Sequence, residues 1–132
     1  MNLGVEFLGI KMKSPVIAAS GTFGFGLEYK DYMDLNQIGA ISCKGLALTP
    51  WEGNEGVRIA ETPSGMLNCI GLENPGVDYF KKQYLPELKK YDVPVICNIV
   101  GKDIQEYGMV AEALSVDGVD ALEVNISCPN VK

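Results

Sequence analysis

The sequence predicts an α/β fold, a (β/α)8 barrel of the TIM barrel type of which the 132 residues cover about the first four βα units. Three observations carry this expectation. Short apolar runs rich in Val, Ile and Ala alternate with stretches of helical periodicity. The first and third of these runs lack polar alternation, as strands of a parallel sheet covered by helices do. Four such units without a closing helix make up half of a fold that takes about 250 residues. The chain is therefore expected to be the first half of a longer polypeptide; a small open doubly wound sheet is the alternative architecture.

The elements follow in order. GVEFLGIKMKSP alternates and turns at Gly9, which predicts an N-terminal hairpin ending at Pro15. PVIAAS (15–20) is the first buried strand and leads into the glycine-rich loop GTFGFG (21–26). Tyr29, Met33 and Asn36 stand at helical spacing, and Gly39 supplies a stop, so a helix is expected across 27–39. AISCKG (40–45) is the second strand. Residues 46–74 exceed an ordinary connection and contain VRIAE, the turn TPSG and MLNCIG, a hairpin inserted above the sheet.

Pro75 suits a first helical turn, and Val77, Phe80, Tyr84 and Leu88 mark the apolar face of a helix that Pro86 disturbs locally. PVICNIVG (94–101) is the third strand. Asp103 and Glu106 form a D-x-x-E cap ahead of Ile104, Tyr107, Val110, Ala111 and Leu114, and Gly118 closes that helix. ALEVNIS (121–127) is the fourth strand.

Composition narrows the function. A formal charge of -6 and eleven scattered basic residues argue against a nucleic-acid partner. The longest apolar run, VPVICNIV (93–100), is strand-sized, well short of the roughly 20 residues of a membrane helix. MNLGVEFLG carries an acid where a secretory signal has its positive region, so a cytoplasmic location is expected. The chain has no histidine, and its four cysteines (43, 69, 97 and 128) show no CxxC spacing, which argues against a metal site and against Ser-His or Cys-His catalysis. In a reducing compartment any one of these cysteines is ordinarily a small buried hydrophobe.

Alternation places Ser42 and Lys44 on one face of their strand, and Glu123, Asn125 and Ser127 on one face of theirs. Lys44, Asn98 and Asn125 thus fall at the carboxyl ends of neighbouring strands, where α/β proteins build their sites. Singly, each has a plain structural explanation: Lys44 snorkelling to solvent, Asn98 bonding a loop, Asn125 capping a turn. Together they describe a pocket with fixed amides and one cation, suited to a planar, anionic, hydrogen-bonding ligand.

GTFGFG does not match G-x-G-x-x-G and reads as a loop needing positive φ. In LNCIGLENPG (67–76), Asn68, Gly71 and Leu72 combine a side-chain amide with accessible backbone N–H groups, although a structured turn explains them too. Cys128 lies beyond the fourth strand and before Pro129, exposed to the mouth. Nucleophile, base and inert loop cysteine all stay open on chemistry alone.

SGTFGFGLEY (20–29), SCKG (42–45), NCIGLENPG (68–76), CNIVG (97–101) and EVNISCPN (123–130) together resemble the class 1 dihydroorotate dehydrogenases, in order over nearly all of the chain. NCIGLENPG is more similar to the NAD-linked subclass 1B than to the fumarate-linked 1A enzymes, whose loop reads closer to NSMGLPN. The resemblance implies a single FMN-binding barrel domain, with residues 1–132 as its N-terminal half, that oxidises (S)-dihydroorotate to orotate in pyrimidine biosynthesis.

It implies that Cys128 is the base taking the C5 proton while hydride passes from C6 to FMN. Lys44 would contact flavin and orotate, its charge suiting electron density arriving on either. Asn68, Cys69, Ile70, Gly71 and Leu72 would hold the substrate together with Asn125 and Asn130, and Ser20, Gly45, Asn98 and Asn125 would contact the cofactor. Subclass 1B further implies an iron-sulfur partner subunit carrying FAD and a [2Fe-2S] cluster, in a heterotetramer of two catalytic and two electron-transfer subunits. The family's second flavin lysine and its phosphate site fall beyond residue 132, so the 132 residues by themselves are expected to bind FMN poorly and to be inactive.

Three rivals remain. A related flavin barrel of the dihydropyrimidine dehydrogenase type uses a similar loop cysteine, but its motif tends toward SCPH where this chain has Asn130. An aldolase barrel would make Lys44 a Schiff-base lysine and leaves Cys128 and the asparagines unexplained. A catalytically inactive half-barrel would act as a binding or oligomerising module.

Overall fold

The computed structural model describes residues 3–128, and within them the four expected strands pair into one parallel sheet. The chain opens with an antiparallel hairpin, β1 (Val5–Phe7) and β2 (Ile10–Met12), whose turn places Leu8 and Gly9 at positive φ. β3 (Ile17–Ala18) and β4 (Ala40–Leu46) follow. β5 (Ile59–Thr62) and β6 (Gly65–Asn68) form a second antiparallel hairpin, and every one of their residues is exposed. β7 (Val95–Ile99) and β8 (Ala121–Val124) complete the sheet in the order β3-β4-β7-β8. All three pairings are parallel.

The two faces of this sheet differ, as strand alternation requires. Ile41 and Cys43, Val95, Cys97 and Ile99, and Leu122 turn toward the helices and pack with Phe80, Leu85, Leu88, Val110 and Leu114. Fully burying each such side chain contributes about 1.5–3 kcal/mol. The opposite face begins apolar, with Ala40 and Ile96 packed against Met12 of the hairpin, Ile17 and Ala121. Toward the carboxyl ends the same face turns polar through Ser42, Asn98 and Glu123. The hairpin thus stoppers the amino ends of the strands and leaves the carboxyl ends for chemistry.

The connections depart from the sequence reading in places. PVIAAS yields a strand only at Ile17–Ala18, because Ser20 already begins α1 (Ser20–Phe23), a single helical turn that packs on β4. No helix spans 27–39. Two 3-10 turns, Leu27–Tyr29 and Leu35–Gln37, stand there instead. Asp34 accepts from both the backbone N of Asn36 (3.0 Å) and its Nδ2 (2.7 Å), and the Asn36 Oδ1 accepts from Asp92 N (2.7 Å). Such short polar side chains offer the backbone an alternative to the helical ladder. The broken path also lets Leu35 reach complete burial while Leu27, Met33 and Ile38 pack beside it, a spacing that no continuous helix provides.

The next helix forms as expected and Pro86 leaves its mark. α2 (Val77–Tyr79) passes into a π-helical stretch, Phe80–Tyr84, before α3 (Leu85–Leu88), and the Leu85 N–H reaches back to Phe80 O. A proline in mid-helix removes a ladder donor and crowds the preceding turn, and the wider π turn accommodates it. α4 (Ile104–Leu114) is capped as its sequence predicts: Asp103 Oδ1 accepts from Glu106 N (2.8 Å), and Glu106 Oε2 accepts from Lys102 N (2.7 Å). The fourth strand is shorter than expected, since regular pairing ends at Val124.

Candidate active site at the carboxyl ends of the strands

Between Cys43↔Cys97 and Leu46↔Ile99 the β4–β7 register shifts, three residues along β4 facing two along β7. The extra residue bulges the strand at Lys44 and Gly45. The Lys44 N–H donates to Gly24 O (2.8 Å), which ties the glycine-rich loop to the bulge. Gly24 and Gly26 of that loop take positive φ (59° and 90°), as the loop reading expects. Gly45 lies against β7 so closely that a β-carbon there would meet Asn98 Oδ1 at 3.0 Å and Val100 Cγ1 at 3.2 Å.

Asn98 is buried and Asn125 half-buried, and the two are joined: Asn125 Nδ2 donates to Asn98 Oδ1 (3.2 Å). Asn98 Nδ2 donates to Glu123 Oε1, which also accepts from Ser42 Oγ (3.3 Å). Asn125 is fixed along its backbone as well. Its N–H donates to Ile99 O (3.0 Å), and its carbonyl accepts from the Tyr107 hydroxyl on α4. Its Oδ1 accepts from Ser127 N (3.2 Å), an Asx turn that ends the strand and starts the segment carrying Cys128.

Cys128 is half-buried and lines a cavity of about 360 Å³ with Asn125, Ser127, Leu72, Gly101, Tyr107 and Trp51. Residues 68–72, expected to hold substrate, reach it only in part. Leu72, at φ 54°, lies on the lining, and Gly71 is buried at φ 78°, where a β-carbon would meet Asn54 N at 2.6 Å. Ile70 is half-buried and its carbonyl accepts from Asn54 N (3.0 Å). Asn68 and Cys69 stand exposed at the end of the hairpin, where Cys69 N donates to Arg58 O (2.9 Å).

Lys44 lines a second cavity, of about 500 Å³, with Glu28, Trp51, Glu73, Tyr79 and Tyr84. The convergence expected of Lys44, Asn98 and Asn125 is therefore one of strand ends rather than of one pocket, with Trp51 lining both cavities. Ser20 is half-buried at the start of α1, beside β4. Asn130 lies outside the described residues. Cys43 and Cys97 belong to the core; hydrogen bonding to Cys97, then burial, pushes the Cys43 thiol well above its ordinary range. Among the described residues no group of His, Cys, Asp or Glu forms a metal site, and no helix is long and apolar enough to cross a membrane.

The sequence reading did not single out Glu123, Asn74 or Tyr107 as site groups. Glu123 could have been found by its parity, since it shares a strand face with Asn125. Asn74 is buried and organises the loop floor: its Oδ1 accepts from Ala47 N (3.0 Å) and Gly76 N (3.1 Å), and its Nδ2 donates to Leu72 O (2.8 Å).

The sequence and the fold that carry this site have clear relatives. The family model for dihydroorotate dehydrogenase matches residues 2–132. "Dihydroorotate dehydrogenase B (NAD(+)), catalytic subunit" from Thermoanaerobacter pseudethanolicus is 58% identical over 132 residues, 100% of this chain and 44% of that protein. The protein of the same name from Lachnoclostridium phytofermentans is 55% identical over the same shares. A crystal structure of DHODH from Eimeria tenella in complex with ferulenol superposes with a TM-score of 0.75 at 19% identity, covering 99% of this chain and 38% of that one, which supports the barrel fold. The chain thus spans less than half the length of the curated relatives it matches, yet the family's pattern runs through all of it. Matched by the family model over residues 2–132 and more than half identical to these relatives along its length, the chain belongs to the dihydroorotate dehydrogenase family.

Proposed function

We propose that these residues form part of a single FMN-binding barrel that oxidises (S)-dihydroorotate to orotate, with Cys128 as the base that removes the C5 proton. The observation that carries the reading is the placement of Cys128 in one cavity with Asn125 and Leu72, directly after a strand end whose amides are fixed. A planar ring rich in amide and carbonyl groups suits such donors and acceptors, because they need no reorientation on binding.

The residues fit a flavin. Asn98 and Asn125 hold their amides fixed through the Asn125 Nδ2–Asn98 Oδ1 bond at the carboxyl ends of the strands, and Lys44 stands on the neighbouring strand, so preset donors, acceptors and one cation are available to a flat ring system. Ser20, Lys44, Gly45, Asn98 and Asn125 would hold the cofactor, and Lys44 brings a positive charge to the rim. Bound FMN supplies the acceptor for the hydride leaving C6. Cys128 must act as thiolate to accept the C5 proton. The Ser127–Asn125 turn and the Tyr107 hydroxyl hold the approach of that thiolate constant.

The names of the relatives support an NAD+-linked enzyme with a second subunit, and we assign that subunit the iron-sulfur character, FAD and [2Fe-2S] cluster that the family resemblance implies. A heterotetramer of two subunits of each kind in the cytoplasm completes the reading. The test uses residues 1–132 joined to the remainder of the barrel. Dihydroorotate-dependent flavin bleaching in this protein, abolished in Cys128→Ala and shifted to higher pH in Cys128→Ser, is the expected result. A Cys128→Ala protein that bleaches at the parent rate would sink the assignment of the base.

A further inference from the structure

Glu123 has no part in the chemistry above, yet it terminates a directional chain of hydrogen bonds. Ser127 N donates to Asn125 Oδ1 (3.2 Å), Asn125 Nδ2 donates to Asn98 Oδ1 (3.2 Å), and Asn98 Nδ2 donates to Glu123 Oε1. Ser42 Oγ closes on the same carboxylate oxygen from the other side (3.3 Å). Each bond in the series points toward Glu123, which sits directly opposite Asn98 in the β7–β8 register.

The chemistry of the two ends fixes everything between them. A backbone N–H can only donate and an ionised carboxylate can only accept. Turning the Asn98 amide over would set Oδ1 against the carboxylate and Nδ2 against the Asn125 amide nitrogen, losing both bonds. Turning Asn125 would set its amide against Ser127 N. Neither amide can flip alone, and the series strengthens itself through mutual polarisation. The second N–H and second lone pair of the Asn125 amide, which lines the cavity of Cys128, are thereby held in one fixed pattern, with the buried Asn98 amide setting it from behind.

We propose that Glu123 is a positioning residue whose carboxylate fixes the amide orientation of Asn98 and Asn125, and hence the hydrogen-bond pattern presented to the pyrimidine and the flavin. The identity of the ligands rests on the function proposed above; the orientation itself does not.

The experiment compares Glu123→Leu and Glu123→Gln in the completed barrel. Gln can still place its carbonyl oxygen where Glu123 Oε1 stands and accept from both Asn98 Nδ2 and Ser42 Oγ, whereas Leu cannot accept. Orotate affinity, read from the perturbed flavin spectrum, is expected to fall about 10-fold or more in Glu123→Leu, the fold-change of one lost hydrogen bond to a charged group. Glu123→Gln is expected to recover most of that loss, with KM moving more than kcat. Equal impairment of both variants would overturn the proposal, since it would assign the effect to charge alone. The side-chain amide NMR signals of Asn98 and Asn125 give a readout that needs no substrate. Both pairs are expected to shift in Glu123→Leu and to stay near the parent positions in Glu123→Gln. Unmoved signals in Glu123→Leu would overturn the orientation claim, while shifted signals in a protein that ignores dihydroorotate would support it and count against the functional reading only.

Discussion

Gly45 and Asn98 are in such close apposition across β4 and β7 that a side chain at position 45 would press on the Asn98 amide. A β-carbon would stand 3.0 Å from Asn98 Oδ1 and 3.2 Å from Val100 Cγ1, tighter than ordinary van der Waals contact. Asn98 is itself held by Glu123 and Asn125, so it cannot retreat without breaking the series. Gly45→Ala is expected to lower stability by about 1–3 kcal/mol, the usual cost of overpacking. Urea denaturation measures that cost. Flavin retention on gel filtration should fall in the same variant, because the alanine methyl pushes on the Asn98 amide proposed to hold the cofactor. Parent-like stability together with parent-like flavin content would contradict the close packing.

The start of α4 offers a local test. Asp103 accepts the Glu106 N–H at 2.8 Å while Glu106 returns to the Lys102 N–H at 2.7 Å, a reciprocal cap. Asp103→Ala is expected to cost about 1 kcal/mol, as loss of an N-cap does. Since Tyr107 lies one turn further along and donates to the Asn125 carbonyl, the loosened helix start should also raise KM for substrate. Thermal unfolding beside steady-state kinetics separates the two effects: a fall in Tm with unchanged KM would mean that the helix start does not govern the strand end.

The capping box, the parallel strands and the inserted hairpin were legible in the sequence because each rests on local rules of spacing and turn chemistry. The missing helix at 27–39 was not, because its apolar spacing is helical in part while Asp34 and Asn36 divert the backbone into separate turns. Lys44 shows a different limit. Counting by twos from Ser42 puts it on the same face as Asn98 and Asn125, but the bulge at Lys44 and Gly45 interrupts the count, and its side chain lines the cavity beside Glu28 and Tyr84. Glu123 was placed correctly on the face of Asn125, yet its service to Asn98 depends on β7–β8 register, which one strand cannot reveal.

Asn74 anchors the floor below the loop of residues 68–72. Its side chain joins Ala47 N, Gly76 N and Leu72 O, and its backbone pairs with Trp51 in both directions at 3.0 Å. Asn74→Ala leaves two buried donors and an acceptor unmet, so a loss of about 2–4 kcal/mol is expected, at about 1–3 kcal/mol for each stranded group with partial relief by water. Asn74→Asp should recover the two bonds made to Oδ1 but not the one made by Nδ2, giving an intermediate value in urea titrations. Equal stability of the two variants would show that the Leu72 contact, not the pair of backbone donors, decides the effect.

Cys43 and Cys97 face each other across β4 and β7, both fully buried, and their hydrogen bond and burial raise the Cys43 thiol well above its ordinary range. The consequence for stability has a definite sign. Above about pH 8.5 the unfolded chain loses the thiol proton while the folded chain keeps it, so the unfolded state binds fewer protons and stability falls as pH rises. Below that point both states hold the proton and the contribution is flat. Urea midpoints measured between pH 7 and 10 should therefore decline at the alkaline end, and the decline should be shallower in Cys43→Ala, although that variant starts lower because of its small cavity. Thiol labelling gives the kinetic counterpart: Cys69, exposed on the hairpin, is expected to react with a maleimide in the folded protein, while Cys43 and Cys97 react only at the rate of unfolding. Rapid labelling of Cys43 in the native protein would mean that the β4–β7 pairing opens locally, and with it the strand ends that carry Gly45 and Asn98.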